Sequence, residues 1–407
     1  MNKVEPHTHA HKNKSILALL IGMVLLGVFP LDVILPSFPA LSAHFDTPSA
    51  DIALSISIFA IGVAISQFFL GPLSDRLGRK RLLILGLALS ILGAIGCANA
   101  SSFSAFIIFR ALQAIGCGCF VLLNALVQDI FTSHERDRVR ILMTSASGFF
   151  ISTSPLAGAL LQATLGWTAS FYLFALLAGA ILVQSATMLP GDKHHTVSRT
   201  GMFKAYGAIV LSSPFMGFSL IAAIAFTCHF SFIALSPIIF LDYFQLSQLE
   251  FGLALLSYGA AYVLGGVIAN RLQKTTLPQQ QLTIGLVLIG SAGLALLILD
   301  VLTERGVATV LLPMMICTAG TTIARPVATS RAMELFPDCA GTAASMSNTM
   351  VFVIGGVASA AVSFVVASFE TALGTGFITL SLVGLLVLQR LYRPVGVALS
   401  ANQQPPH

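Results

Sequence analysis

Ionisable side chains stand deep inside three of the long apolar runs of this sequence. Asp32 lies within Leu31-Asp32-Val33-Ile34-Leu35-Pro36, Arg110 follows Phe106-Ile107-Ile108-Phe109, and His229 is flanked by Cys228 and Phe230. Placing a carboxylate or guanidinium near the centre of a hydrocarbon layer costs about 2.5–3.5 kcal/mol, so an intramembrane charge is a functional-site hypothesis by default. Of the sixteen acidic residues, only Asp32 falls well inside an apolar segment. Asp129, Glu250, Asp300 and Glu370 lie at segment ends. The chemistry open to so isolated an acid is uptake and release of a proton. Apolar surroundings favour its neutral form and a nearby guanidinium its carboxylate, so its protonation can follow conformation. Arg110 is the natural partner, because the two depths differ by only about 3 Å along their helices. A purely structural ion pair that orients two helices is the competing reading.

His229 is the one histidine well inside a segment, and reads either as a second proton site or substrate donor, or as a satisfied buried imidazole. Gln113, three residues beyond Arg110, shares its helix face. Asn124, Tyr258, Tyr262 and Asn348 are further candidates for lining a substrate cavity, with Tyr258 and Tyr262 four apart in one stripe. Arg325 lies towards the end of its segment, where it could snorkel or bind an anion. Metal chemistry finds no ligand set: the six cysteines have neither metal-ligand nor secreted-disulfide spacing. His7, His9 and His11 alternate in a polar tail. Phosphate loops and His-Glu-x-x-His motifs are absent, so the reading is not an enzyme, with no cofactor beyond protons as a coupling ion.

The elements that must carry these residues follow from composition. The chain has 407 residues, 56% hydrophobic and 9% charged, against about 25% charged in soluble domains. A spanning helix needs about 20 apolar residues, and twelve segments qualify, at approximately 15–35, 50–71, 82–99, 104–128, 139–163, 168–189, 214–240, 250–270, 281–300, 306–330, 340–366 and 370–391. Residues 1–14 read as a cytoplasmic, solvated tail, 15–189 as an N-terminal six-helix bundle, and 190–213 as a cytoplasmic central loop. Residues 214–391 then form a C-terminal six-helix bundle and 392–407 a second cytoplasmic tail. With the N-terminus inside, 18 of the 21 Lys and Arg fall in cytoplasmic segments, one (Arg305) outside and two (Arg110, Arg325) within spans, as the positive-inside rule requires. The net charge of +5 is thus a topology signal, not a nucleic-acid footprint. Gly71, Asp75, Arg76 and Leu77 recur as Gly266, Asn270, Arg271 and Leu272. Such a repeat predicts an all-α membrane protein, two pseudo-symmetric six-helix bundles around a central cavity with the substrate site near mid-membrane.

Several motifs resemble those of the major facilitator superfamily. Gly71-Pro72-Leu73-Ser74-Asp75-Arg76-Leu77-Gly78-Arg79-Lys80-Arg81 is similar to its signature between spans 2 and 3. Arg110, Gln113, Gly116 and Gly118 resemble its span 4 motif, and Gly148, Pro155 and Gly158 a degraded form of its span 5 antiporter motif. The Leu31–Pro36 run followed by Pro39 resembles span 1 of the twelve-helix drug–proton antiporters, most narrowly the bicyclomycin-resistance and chloramphenicol-efflux branch. The resemblance implies that Gly71, Asp75, Arg76, Gly78 and Arg79, with Asp129, form a conformational latch. It also implies proton-coupled export of drug-like molecules across a bacterial inner membrane by a monomer whose partners are substrate, protons and lipid. Export of one endogenous metabolite such as a siderophore, amino acid or sugar is the alternative. Proton symport and a non-transporting membrane sensor rank below it.

Overall fold

In the computed structural model, residues 6–131, 133–191, 202–336, 340–364 and 368–393 are described. Twelve helices among them are long and apolar enough to cross a membrane: Ser15–Phe45, Ser49–Ser74, Arg79–Ala98, Phe103–Val127, Ser145–Leu165, Thr168–Met188, Ser213–Tyr243, Gln248–Leu272, Pro278–Leu302, Val307–Glu334, Gly341–Ser363 and Phe369–Leu391, here spans 1 to 12. Each coincides with an expected segment, and no strand occurs among the described residues. The even count puts the described beginning and end of the chain on one face, the terminal face, and the loops after odd-numbered spans on the opposite face.

Helix already runs from Pro6, so the backbone of residues 6–14, within the expected tail, is continuous with the first span. Within the expected central loop, residues 192–201 lie outside the described residues, and a short helix Met202–Leu211 precedes span 7.

Spans 1, 4 and 7 are interrupted, and the interruptions have local causes. Span 1 is α-helical to Asp32, turns at Val33 and Ile34, passes through a 3₁₀ turn at Leu35–Ser37, and resumes as helix at Phe38–Phe45. Pro30, Pro36 and Pro39 each lack a backbone N–H, which starves the α-helical ladder where the break falls. Span 4 changes to 3₁₀ geometry at Gly118–Leu122, and span 7 ends in a π-helical turn at Ile238–Tyr243 after Pro237. Such interruptions in spanning helices are tolerated only where the loosened backbone is enclosed by protein. Span 7 fits, with 94% of its apolar stretch buried against 28% for span 5 and 33% for span 6.

The two halves meet along spans 2 and 11 and along spans 5 and 8. Towards the terminal face, Ser345 Oγ donates to the Gln67 carbonyl at 2.6 Å and Thr349 Oγ1 to the Ala64 carbonyl at 3.3 Å. Gly259 of span 8 has no room for a side chain, a Cβ there standing 2.4 Å from Ser152 Cα of span 5. Outward-facing leucines such as Leu176, Leu264 and Leu294 are exposed, as helices solvated by hydrocarbon require. On the opposite face Arg305 gathers three span ends: its guanidinium donates to Asp300 Oδ1 at 2.9 Å and to Tyr243 Oη at 3.0 Å, and pairs with Glu370 Oε1 at 3.4 Å. These bonds hold the Arg305 proton more tightly than usual. Glu250 is absorbed in a capping box with Ser247 at the start of span 8.

Candidate functional site

Asp32 is the last helical residue before the break in span 1 and lies two residues from the midpoint of Ser15–Phe45. It is 9% exposed and makes no hydrogen bond or ion pair with the described residues. The backbone beside it is pinned from span 5. A Cβ on Gly158 would stand 2.1 Å from the Val33 carbonyl oxygen, so only glycine permits this approach. The 3₁₀ turn that follows packs against spans 5, 7 and 8.

Arg110, expected to pair with Asp32, does not. Its side chain is wholly buried; Nη1 donates to Gln113 Oε1 at 2.8 Å and Nη2 to the Pro30 carbonyl at 3.0 Å. The guanidinium lies 4.4 Å from the ring centre of Phe59 and 5.9 Å from that of Phe171. The cause is the broken helix. The last four carbonyls of a helix lack intrahelical partners and carry the negative end of its dipole, and Pro30 is one of those four. The arginine therefore caps the helix that ends at Asp32 instead of neutralising the acid. Nε of Arg110 has no hydrogen-bond partner among the described residues.

The span 4 motif explains how this cation is held. Ser102 caps the helix that carries it, accepting from the Ala105 N–H at 3.3 Å. Gly116 meets span 3 so closely that a Cβ would lie 2.3 Å from Ser90 N, and Gly118 is equally close to Ser66 of span 2.

A second polar cluster occupies the other half. His229 Nδ1 of span 7 shares hydrogen bonds with Tyr258 Oη of span 8 and, at 3.1 Å, with Thr318 Oγ1 of span 10. The imidazole lies nearly parallel to Tyr258, ring centres 5.5 Å apart, and 5.8 Å from Tyr262. The 3₁₀ turn just past Asp32 packs against spans 7 and 8, which carry His229 and Tyr258, so the two clusters sit on adjoining spans across the halves. The expected cavity candidates thus divide. Gln113 belongs to the arginine, His229, Tyr258 and Tyr262 form one group, and Asn348 on span 11 makes no side-chain hydrogen bond with the described residues. The Asn124 side chain lies outside what is described. Thr318 was missed because a threonine in an apolar run carries no distinctive signal.

Of the latch residues, Arg79 pairs with Asp129 at 2.6 Å and donates to the Ala125 carbonyl at 2.6 Å. These contacts tie the start of span 3 to the end of span 4, both in the N-terminal half. Gly78 sits at φ 95°, a conformation that favours glycine. A Cβ on Gly71 would crowd Ser345 Oγ of the other half at 3.1 Å. The side chains of Asp75 and Arg76 lie outside the described ones. Sequence reasoning passed over Tyr206, which is buried on the short helix before span 7. It stacks on Phe68 at 4.6 Å, donates to the Phe68 carbonyl at 2.8 Å and lies 3.5 Å from Ser345 Oγ. Burial raises its hydroxyl above the ordinary tyrosine range, so it remains a donor. Pro155 lies within span 5, whose helix runs unbroken past it, and a Cβ on Gly148 would lie 3.9 Å from Val263 of span 8.

Twelve antiparallel spans in two bundles of six, with buried polar groups gathered between them, define a membrane transporter fold rather than an enzyme. The chain belongs to the Major Facilitator Superfamily, whose profile matches residues 17–360. It is similar to "Multidrug resistance protein D" of Escherichia coli (strain K12), 24% identical over 399 residues that make up 97% of this chain and 99% of that protein. It is also similar to "Multidrug transporter MdfA" of Yersinia pestis bv. Antiqua (strain Angola), 30% identical over 258 residues, 61% of this chain and 62% of the relative. Among solved structures, a D-xylose–proton symporter superposes with a TM-score of 0.73 over 93% of this chain and 97% of that one, at 18% identity.

Proposed function

We propose that this protein exports small, drug-like organic molecules from the cytoplasm in exchange for protons, by alternating access across a bacterial inner membrane, with both termini cytoplasmic. The observation that carries the reading is Asp32, an acid at mid-span, nearly buried, at a helix break, with no partner among the described residues. A permanently ionised carboxylate there would be an uncompensated buried charge, so occupancy of the enclosed state requires a proton on it. Exposure to the opposite compartment, or approach of a substrate, then releases that proton. Arg110 acts through the backbone, holding the end of the span 1 helix that presents the acid. Each proton moved down 100 mV supplies about 2.3 kcal/mol, roughly a fifty-fold concentration ratio. The relatives named as multidrug proteins support the drug-like substrate class, and a monomer suffices because both halves of the site lie in one chain.

The test is substrate-induced proton release from inside-out vesicles energised with an inward proton gradient, using a panel of drugs and metabolites. Wild type is expected to release protons and Asp32→Asn is not. Undiminished release by Asp32→Asn would remove the carboxylate from the mechanism. A response confined to one metabolite would turn the reading into that of a dedicated exporter.

A further inference from the structure

Arg325 is the second cation inside a span, and its situation is the reverse of that of Arg110. Span 10 continues to Glu334, so Arg325 lies nine residues, about 13 Å, from the helix end, and its side chain does not snorkel to that end. The guanidinium instead lies over the Phe226 ring of span 7, 4.7 Å from its centre. It is partly exposed, with no hydrogen bond or ion pair to any described residue. Phe226 is itself part of an apolar wall, stacked on Phe230 at 5.0 Å and edge-on to Phe352 of span 11 at 5.1 Å. No Asp or Glu of the chain other than Asp32 lies well inside a span, and Asp32 does not pair with Arg325.

An intramembrane guanidinium with unused donors is costly unless a partner arrives from outside the chain. The planar fork of donors fits a carboxylate bidentately, and the aromatic wall beside it suits a flat apolar body. We infer that Arg325, with Phe226 and Phe352 as its wall, is a binding subsite for the carboxylate of an aromatic organic acid. The inference rests on the export reading and narrows its substrate class to compounds bearing an acidic group.

Naphthalene-1-carboxylate and its uncharged isostere naphthalene-1-carboxamide would be titrated calorimetrically into the full-length protein in lipid nanodiscs. Wild type is expected to bind the carboxylate at least about tenfold more tightly than the amide, as charge-assisted hydrogen bonds imply. Arg325→Gln is expected to erase that preference while still binding the amide. Arg325→Lys, which keeps the charge without the fork, is expected to retain part of it and serves where the glutamine variant does not fold. A wild type that binds both probes alike, or neither, overturns the assignment, as does an undiminished preference in Arg325→Gln or, where that variant does not fold, in Arg325→Lys. Equilibrium binding needs no gradient, so failure here leaves proton-coupled export standing. Conversely, loss of the Asp32-dependent proton release would overturn export without changing the calorimetric preference.

Discussion

Two glycines of the span 5 motif are expected to behave oppositely when given a methyl group. At Gly158 a Cβ would stand 2.1 Å from the Val33 carbonyl oxygen, with Val33 C at 2.9 Å and Cα at 3.1 Å. These neighbours are backbone, so no rotamer relieves the clash, and an ordinary contact requires span 1 and span 5 to separate by more than about 1 Å. Overpacking of that kind costs about 1–3 kcal/mol. The displaced segment begins one residue after Asp32, so the acid moves with it, and a misplacement of about 1 Å at a reacting group can cost about a hundredfold in rate. At Gly148 the same methyl would meet only Val263 Cγ2, at 3.9 Å, an ordinary van der Waals distance. Gly158→Ala should therefore lower the melting temperature of the purified protein and reduce substrate-induced proton release by at least about tenfold, while Gly148→Ala stays near wild type. Wild-type transport and stability in Gly158→Ala would refute the idea that this contact positions Asp32. Equal damage at both glycines would refute it too, pointing to a general intolerance of side chains on span 5.

Further outcomes follow from the same geometry. Tyr206→Phe removes the bonds to the Phe68 carbonyl and towards Ser345 but keeps the ring stack. Its net cost of about 0.5–1.5 kcal/mol should shift the population of the state closed at the terminal face roughly two- to tenfold, readable as broadened spin-label distances between spans 2 and 11. Unchanged distances would mean that the short helix merely rests there. Arg110→Lys replaces a fork that reaches Gln113 and Pro30 together with a single ammonium. Initial transport rates in proteoliposomes should fall at least about tenfold with substrate binding retained, and an unaffected rate would show that charge alone suffices.

The fold was legible because hydrocarbon imposes a blunt rule on sequence. Each span had to be apolar over about 20 residues, and the loops carried the basic residues that set their side. The Asp75-to-Asn270 repeat marked the halves for the same reason, since both copies sit at a span end, where the chain leaves the hydrocarbon and polar residues are tolerated. Which atoms meet was far less legible. Arg110 and Asp32 were paired by depth and charge, and both do lie at the break of span 1, but the helix terminus outcompeted the carboxylate for the guanidinium. Nothing in spacing announces that outcome, because it depends on three prolines ending a helix early. Tyr206 was invisible for a related reason: in a polar connection a tyrosine looks like surface, and only its stacking on Phe68 reveals its place between the halves.

The difference between the two arginines has a consequence for coupling. Had Arg110 formed an ion pair with Asp32, releasing the acid's charge would have required breaking that pair, and the protonated acid would have left the guanidinium buried and unmatched. With the carbonyl of Pro30 as its acceptor, Arg110 keeps the same bonds whether Asp32 is protonated or not. In the proposed cycle the acid changes its charge without dismantling the helix end that presents it, and the turn just past it packs against spans 7 and 8 of the other half. Those two spans move with the C-terminal half in any rocking motion. On the proposed export reading, protonation of Asp32 is tied to the relative position of the halves rather than to a local pair, the linkage an antiporter needs between its proton and its conformational cycle.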